Sequence, residues 1–215
     1  MLLANRKKDF PPCLRGFEHV NRYLDRQNKK IVAKILPGEF YVSRSEELIA
    51  TTLGSCVSAC IWDEYSSIGG MNHFMLPLTD KESHEVTWGN DQSDATRFGN
   101  YAMEHLINEI LANGGLRKNL RAKVFGGGKI MENMSDVGHK NCQFVIDYLA
   151  TENVPIIAHD LGSTYPRKIM FDPISGKAHM KRLQSMHNNT LVDREASYQK
   201  SIANKPVEGD IELFD

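Results

Sequence analysis

No stretch of this 215-residue chain approaches the roughly 20 consecutive apolar residues that span a bilayer, so membrane insertion is not expected. Its four cysteines, Cys13, Cys56, Cys60 and Cys142, contain no Cys-x-x-C pair. That removes the usual dithiol redox motif and the zinc knuckle. Charge of one sign is also missing. Lys and Arg number 26 against 27 Asp and Glu, for a formal net charge of −1. No global field therefore draws the chain to nucleic acid or to an anionic membrane, and no stripe of Lys and Arg at helical spacing supplies a local one. The opening residues, MLLANRKKDF, place charges where a secretory signal needs an apolar run. The expectation is a cytoplasmic protein with its cysteines as thiols. Apolar residues at 41% and charged residues at 25% are ordinary for a folded domain.

Residues 1–30 are basic and poor in strong apolar residues, and read as an N-terminal extension. Phe17, Val20 and Tyr23 can make at most a weak amphipathic turn or two. From Ile31 the pattern is strand-like: IVAKIL, a Pro37-Gly38 turn, EFYVS, then the run Leu48–Leu53. CVSACIW (56–62) reads as a buried strand because small and apolar residues continue without charge. Ile68–Leu76 is its natural hairpin partner. Phe98, Tyr101, Ala102, Leu106 and Ile110 fall at helical spacing, with Ser93 or Asp94 to cap the start and Gly114-Gly115 to end the helix. A second helix is expected from about Val137 to Leu149. Further strands are expected at 121–125, 154–160, 167–172 and 177–183. Beyond Leu183 apolar content falls, and 184–215 reads as a flexible tail. The order predicts one α/β (α+β) domain over 31–183, with strands outnumbering helices.

Two segments carry the chemistry, TTLGSCVSAC (51–60) and GGMNHFMLP (69–77). Gly54 before Ser55-Cys56 lets the backbone approach closely and aim amide N–H groups at one spot, as an oxyanion site requires. Buried cysteines are usually small core hydrophobes, and Cys60 is read that way outright. His73 can likewise be a satisfied core histidine. If the two segments pair as adjacent strands, its neutral imidazole can take the Cys56 proton and give a nucleophilic thiolate.

LGSCV followed by GGMNHFMLP resembles the signature of the CheD family. The similarity continues through RFGNYAMEHLINEIL from Arg97, AKVFGGGKIM at 122–131 and RKIMFDPISGKA at 167–178. It covers roughly residues 35 to 183. The resemblance implies layered mixed β-sheets flanked by helices, similar to the deamidase toxins of the cytotoxic necrotising factor type. It implies deamidation of glutamines in methyl-accepting chemotaxis receptors, without cofactor or metal. It also implies a CheC-type phosphatase as a further partner. Cys56 matches the family's nucleophile and His73 its base. A threonine shortly before the cysteine completes the set; Thr51 and Thr52 both qualify, and Thr52 is taken. Gly54, Ser55 and Asn72 are assigned to the oxyanion and substrate site.

Other signals lead nowhere comparable. Gly126-Gly127-Gly128-Lys129 lacks phosphate-loop spacing and is followed by Ile130 rather than Ser or Thr. A zinc site from Cys56, Cys60 and His73 is disfavoured, since cysteines four apart in a strand lie too far apart to chelate readily. Arg167 and Lys168 read as a solvated strand edge. The rival to the enzyme is a non-catalytic adaptor that docks on receptors or the phosphatase. A peptidase or transglutaminase would share the first half-reaction.

Overall fold

The computed structural model describes residues 10–26, 29–77, 94–130, 137–183 and 189–203. In chain order the elements are β1 (Asn21–Asp25), β2 (Lys30–Lys34), β3 (Phe40–Ser43), β4 (Glu47–Leu53), β5 (Val57–Asp63), β6 (Ile68–Asn72) and α1 (Asp94–Ala112). After one 3₁₀ turn follow β7 (Leu120–Gly126), α2 (Val137–Thr151), β8 (Ile156–Leu161), β9 (Arg167–Phe171), β10 (Ala178–Arg182) and α3 (Asn189–Ala203). The strands make two mixed five-stranded sheets, ordered β1-β2-β4-β9-β10 and β3-β6-β5-β7-β8. This is the single α/β (α+β) domain with layered mixed sheets that the sequence predicts.

Each sheet is built around a strand of the Cys segment. β5 lies between β6 and β7 and is buried at every residue. Helix α1 packs on β3, β5 and β6, while α2 packs on β5, β7 and β8. A strand covered on both faces needs the uninterrupted apolar and small residues of VSACIWD. Strand β4 instead separates two environments. Ile49 and Leu53 join the main core shared with β5, whereas Leu48 and Ala50 join a small separate cluster with Val32. Successive side chains on a strand point to opposite faces, so this split fixes where the two threonines point.

The hairpin of β5 and β6 is antiparallel as expected, with Cys60 opposite Met71 and Asp63 opposite Ile68. Helix α1 ends where the glycines stand: Gly114 has φ +98° and the Gly115 N–H bonds Ile110 O at 2.9 Å. Its buried stripe, however, is Met103, Leu106, Ile107 and Ile110. Tyr101, expected on the core face, is exposed and packs its ring against His105, tilted by 44° with centroids 4.0 Å apart.

Two described segments near the termini differ from expectation, while residues 1–9, 184–188 and 204–215 of the expected extension and tail lie outside the described residues. Within the N-terminal 30 residues, β1 pairs antiparallel with β2, and Phe17 and Val20 are buried in the main core. In the region read as a tail, residues 189–203 form α3, whose Leu191, Glu195 and Ile202 are buried. Arg167 is no solvated edge. It is fully buried, bonds the Asp160 carboxylate at 2.5 Å, and also donates to the carbonyls of Asp160 and Gly162. Lys168, its neighbour on the opposite face, is half-buried.

Candidate active site

The chain leaves the first sheet at Leu53 and enters the second at Val57, so Gly54, Ser55 and Cys56 form the link between sheets. Every carbonyl of this link is anchored. Gly54 O accepts from Gly128 N at 2.7 Å and Cys56 O from Gly127 N at 2.8 Å. Ser55 O accepts from Asn141 Nδ2 on α2 at 2.9 Å. The glycine run has to be glycine here. Gly126 and Gly127 have φ of +117° and +66°, and a Cβ on either would collide with Cys56 O or Cys142 Sγ. The glycine run at 126–128 is thus a brace for the Cys56 backbone.

With their carbonyls held, the link's donors converge on one carboxylate, that of Glu195 from α3. Gly54 N donates to Oε1 at 2.7 Å, while Ser55 N and Ser55 Oγ donate to Oε2 at 2.8 and 2.6 Å. Cys56 N is 3.5 Å from Oε1. Gly54 and Ser55 thus surround the two oxygens of the Glu195 carboxylate. Asn141 holds the other flank as well, its Oδ1 accepting from Leu76 N at 2.8 Å. One α2 side chain thereby ties the Cys56 link to the segment after His73.

His73 follows β6 directly. Its N–H bonds Glu39 O at 2.9 Å and its carbonyl accepts from Gly38 N at 2.7 Å. The next residue, Phe74, exchanges backbone hydrogen bonds of 2.9 and 3.0 Å with Val57, the residue after Cys56. This pairing sets His73 beside Cys56. Its Nδ1 lies 2.7 Å from Thr51 Oγ1, and that hydroxyl donates to Ile35 O at 2.9 Å. A hydroxyl has one proton. Since Thr51 gives it to Ile35, Nδ1 must carry its own proton and donate, leaving Nε2 as the basic nitrogen. Nε2 is buried and has no hydrogen-bond partner among the described residues.

The threonine at the imidazole is thus Thr51, in place of the expected Thr52. Thr51 lies opposite Ile169 on the core face, whereas Thr52 lies opposite Lys168 on the other face. Asn72 is also displaced from its expected role. Its Oδ1 accepts from Ala59 N at 2.8 Å and its Nδ2 donates to Ala102 O at 3.1 Å. One residue before His73, it faces α1 and braces β5, β6 and α1 together.

Burial holds the pair neutral. Cys56 is 0% and His73 1% exposed. Desolvation, and then the positive charge of Arg194, push the His73 pKa from 6.5 down to about 3. Burial raises the Cys56 thiol well above its ordinary value, and the Glu195 charge and hydrogen bond raise it further. Each of Cys56, His73 and Glu195 has a potential ligand atom within 4.8 Å of the others', the one such trio among the described residues. Both Glu195 oxygens and His73 Nδ1 already have hydrogen-bond partners, which describes a filled anion hole better than a metal centre. Cys60 is not in the trio; it lies within β5, opposite Met71 and Lys123. A cavity of about 650 Å³ adjoins the link, lined among others by Ser55, Gly128, Ile130, Cys142 and Leu161, and does not include Cys56 or His73.

Sequence reasoning missed Glu195 and Asn141. The signal for Glu195 was present as helical spacing of Leu191, Glu195, Tyr198 and Ile202. Nothing local marks Asn141.

A model of the CheD family, described as CheD chemotactic sensory transduction, matches residues 75–182. A protein of Halorhodospira halophila named "Probable chemoreceptor glutamine deamidase CheD" is 50% identical over 211 residues, covering 98% of this chain and 97% of that one. Similarly named proteins of Hahella chejuensis and Saccharophagus degradans are 47% and 45% identical, covering 98% and 94% of this chain and 99% and 94% of theirs. The chain belongs to the CheD family.

Proposed function

We propose that this protein hydrolyses the side-chain amide of glutamines in chemoreceptors, giving glutamate and ammonia on the cytoplasmic side. Cys56 is the nucleophile, His73 the base and Thr51 the residue that orients the imidazole. The observation that carries this reading is the relay Ile35 O–Thr51–His73, which leaves a bare Nε2 in a buried site shared with a thiol and a cluster of amide N–H groups. A carboxamide is a poor electrophile, so the hydrolysis is divided into two easier steps. The Cys56 proton passes to Nε2 as Sγ bonds to the amide carbon. The resulting oxyanion is held by the N–H groups of Gly54, Ser55 and Cys56, where each such donor is worth about 3 kcal/mol. Nε2 returns the proton to the departing nitrogen and ammonia leaves. Water, deprotonated by His73, then cleaves the thioester to glutamate and the free thiol.

The names of the relatives support chemoreceptors as the substrate class. A CheC-type phosphatase is a proposed second partner, tested by pull-down of the two purified proteins. The experiment for the reaction is mass spectrometry of a purified chemoreceptor cytoplasmic fragment incubated with wild type or Cys56→Ala. Conversion of particular glutamines to glutamates by the wild type alone is expected. No conversion by either, with binding retained, would leave a non-catalytic adaptor.

A further inference from the structure

Resting on the deamidase reading, the arrangement of α3 adds the control of that same site. We propose that α3 is a tethered product mimic: Glu195 occupies the place of the glutamyl side chain the reaction releases, and the helix lifts away before a receptor helix presents its glutamine to Cys56.

The pose of Glu195 is that of a product. Deamidation turns a carboxamide into a carboxylate on the same carbon, and a carboxylate accepts at both oxygens. In the site both Glu195 oxygens accept, from Gly54 N on one side and from Ser55 N and Oγ on the other. Glu195 is 0% exposed, and a carboxylate is rarely taken out of water without such donors. The carrier is a helix whose inner stripe runs Leu191, Glu195, Tyr198 and Ile202, while Asp193, Ser197, Lys200 and Ser201 are exposed. Tyr198 packs on Gly38, where a Cβ would come 2.9 Å from its ring, and Gly38 N holds the His73 carbonyl. The helix therefore spans both halves of the site. With it seated, Cys56 and His73 are sealed from solvent, and the adjacent carboxylate opposes the thiolate. No receptor side chain can reach the nucleophile in this state. The same geometry describes the substrate: a glutamine on a helix, with an apolar residue four positions before it and bulky or apolar residues three and seven after.

An amide at position 195 would serve less well as a plug, because its NH₂ cannot accept from Ser55 N. It would instead be an intramolecular substrate. Hydrolysis by Cys56 and water releases ammonia and regenerates the native glutamate. The test uses full-length Glu195→Gln, with and without Cys56→Ala, and the separate variant Leu191→Asp/Ile202→Asp, which loosens the helix without touching the site. Peptide mass spectrometry should find acid at position 195 in the protein that retains Cys56 and amide in the double variant. Iodoacetamide labelling of Cys56 should rise on the order of tenfold or more in Leu191→Asp/Ile202→Asp, since a weakened closed state exposes the thiol more often. Unchanged labelling of that variant would overturn the cap. Faster labelling with a stable amide at position 195, while receptor glutamines are still converted, would overturn the product pose. Faster labelling with no conversion of any glutamine would support the cap and sink the deamidase reading instead.

Discussion

At the scale of single residues, the site turns on one proton. Thr51 has a single hydroxyl hydrogen and gives it to Ile35 O, so it can only accept from His73. Thr51→Ala removes the acceptor that selects the Nδ1–H tautomer. Deamidation should slow by about 10²-fold, the range of general acid–base help, while Thr51→Ser keeps most of the rate and Thr52→Ala nearly all of it. Initial rates of ammonia release on a receptor fragment decide among them. His73 also couples stability to pH. Its pKa of about 3, set by burial and then by Arg194, lies below the ordinary 6.5. As pH falls below 6.5 the unfolded chain takes up a proton that the folded chain refuses until about 3. The stabilisation is therefore complete above 6.5 and drains away across that window. Urea midpoints should fall between about pH 7 and pH 4 in the wild type, and fall less in His73→Gln. Cys56 and His73 were singled out in the sequence by the resemblance of LGSCV and GGMNHFMLP to the CheD signature, because residue types alone leave each readable as a core residue. The choice between Thr51 and Thr52 was not legible, because it depends on which face of β4 meets the second sheet.

At the scale of elements, the site is a product of bracing. The Cys56 link has three carbonyls, held by Gly127, Gly128 and Asn141. Asn141 is fully buried and its amide bridges two segments that lie far apart in the chain. Asn141→Leu would leave Ser55 O and Leu76 N without partners. At about 1–3 kcal/mol for each buried unsatisfied group, a loss of roughly 3 kcal/mol in denaturant unfolding is expected. Turnover should fall with it, since the link's N–H groups are aimed by the anchored carbonyls. Most strands, α1 and α2 were readable from apolar runs, helical spacing and glycine stops. The rotation of α1 was not. Its core face is chosen by β6, against which Met103 packs beside Asn72, and not by the position of its aromatic residues. Arg167 looked like an edge charge for a related reason: only the return of 160–165 over β9 gives its guanidinium enough acceptors to be buried.

At the scale of the whole molecule, residues 10–26 and 189–203 close on the domain, and neither segment shows this in its composition. The N-terminal segment is basic, which reads as solvated until a partner from elsewhere is supplied. That partner is Glu47 at the start of β4. Its side chain is 0% exposed and accepts from Arg22 Nε at 2.9 Å, with Nη2 at an ion-pair distance of 2.8 Å, and its other oxygen accepts from Tyr41 Oη at 2.8 Å and Ser43 Oγ at 2.6 Å. Arg22 Nη1 also donates to Pro11 O at 2.8 Å, which fixes the segment before β1. A buried ion pair adds little over an apolar replacement of both partners, yet losing one partner strands the other charge. Arg22→Met keeps the apolar stem but leaves the Glu47 carboxylate with only the two hydroxyls. Chemical denaturation should show a loss of about 3 kcal/mol, and amide exchange should accelerate first along β1 and its pairing with β2. Glu47→Gln in the same background should restore part of the loss, because the uncompensated charge is then gone. If Arg22→Met instead left stability unchanged, the N-terminal strand would be an appendage. With the predicted loss and its partial rescue, residues 10–26 are part of the folded domain.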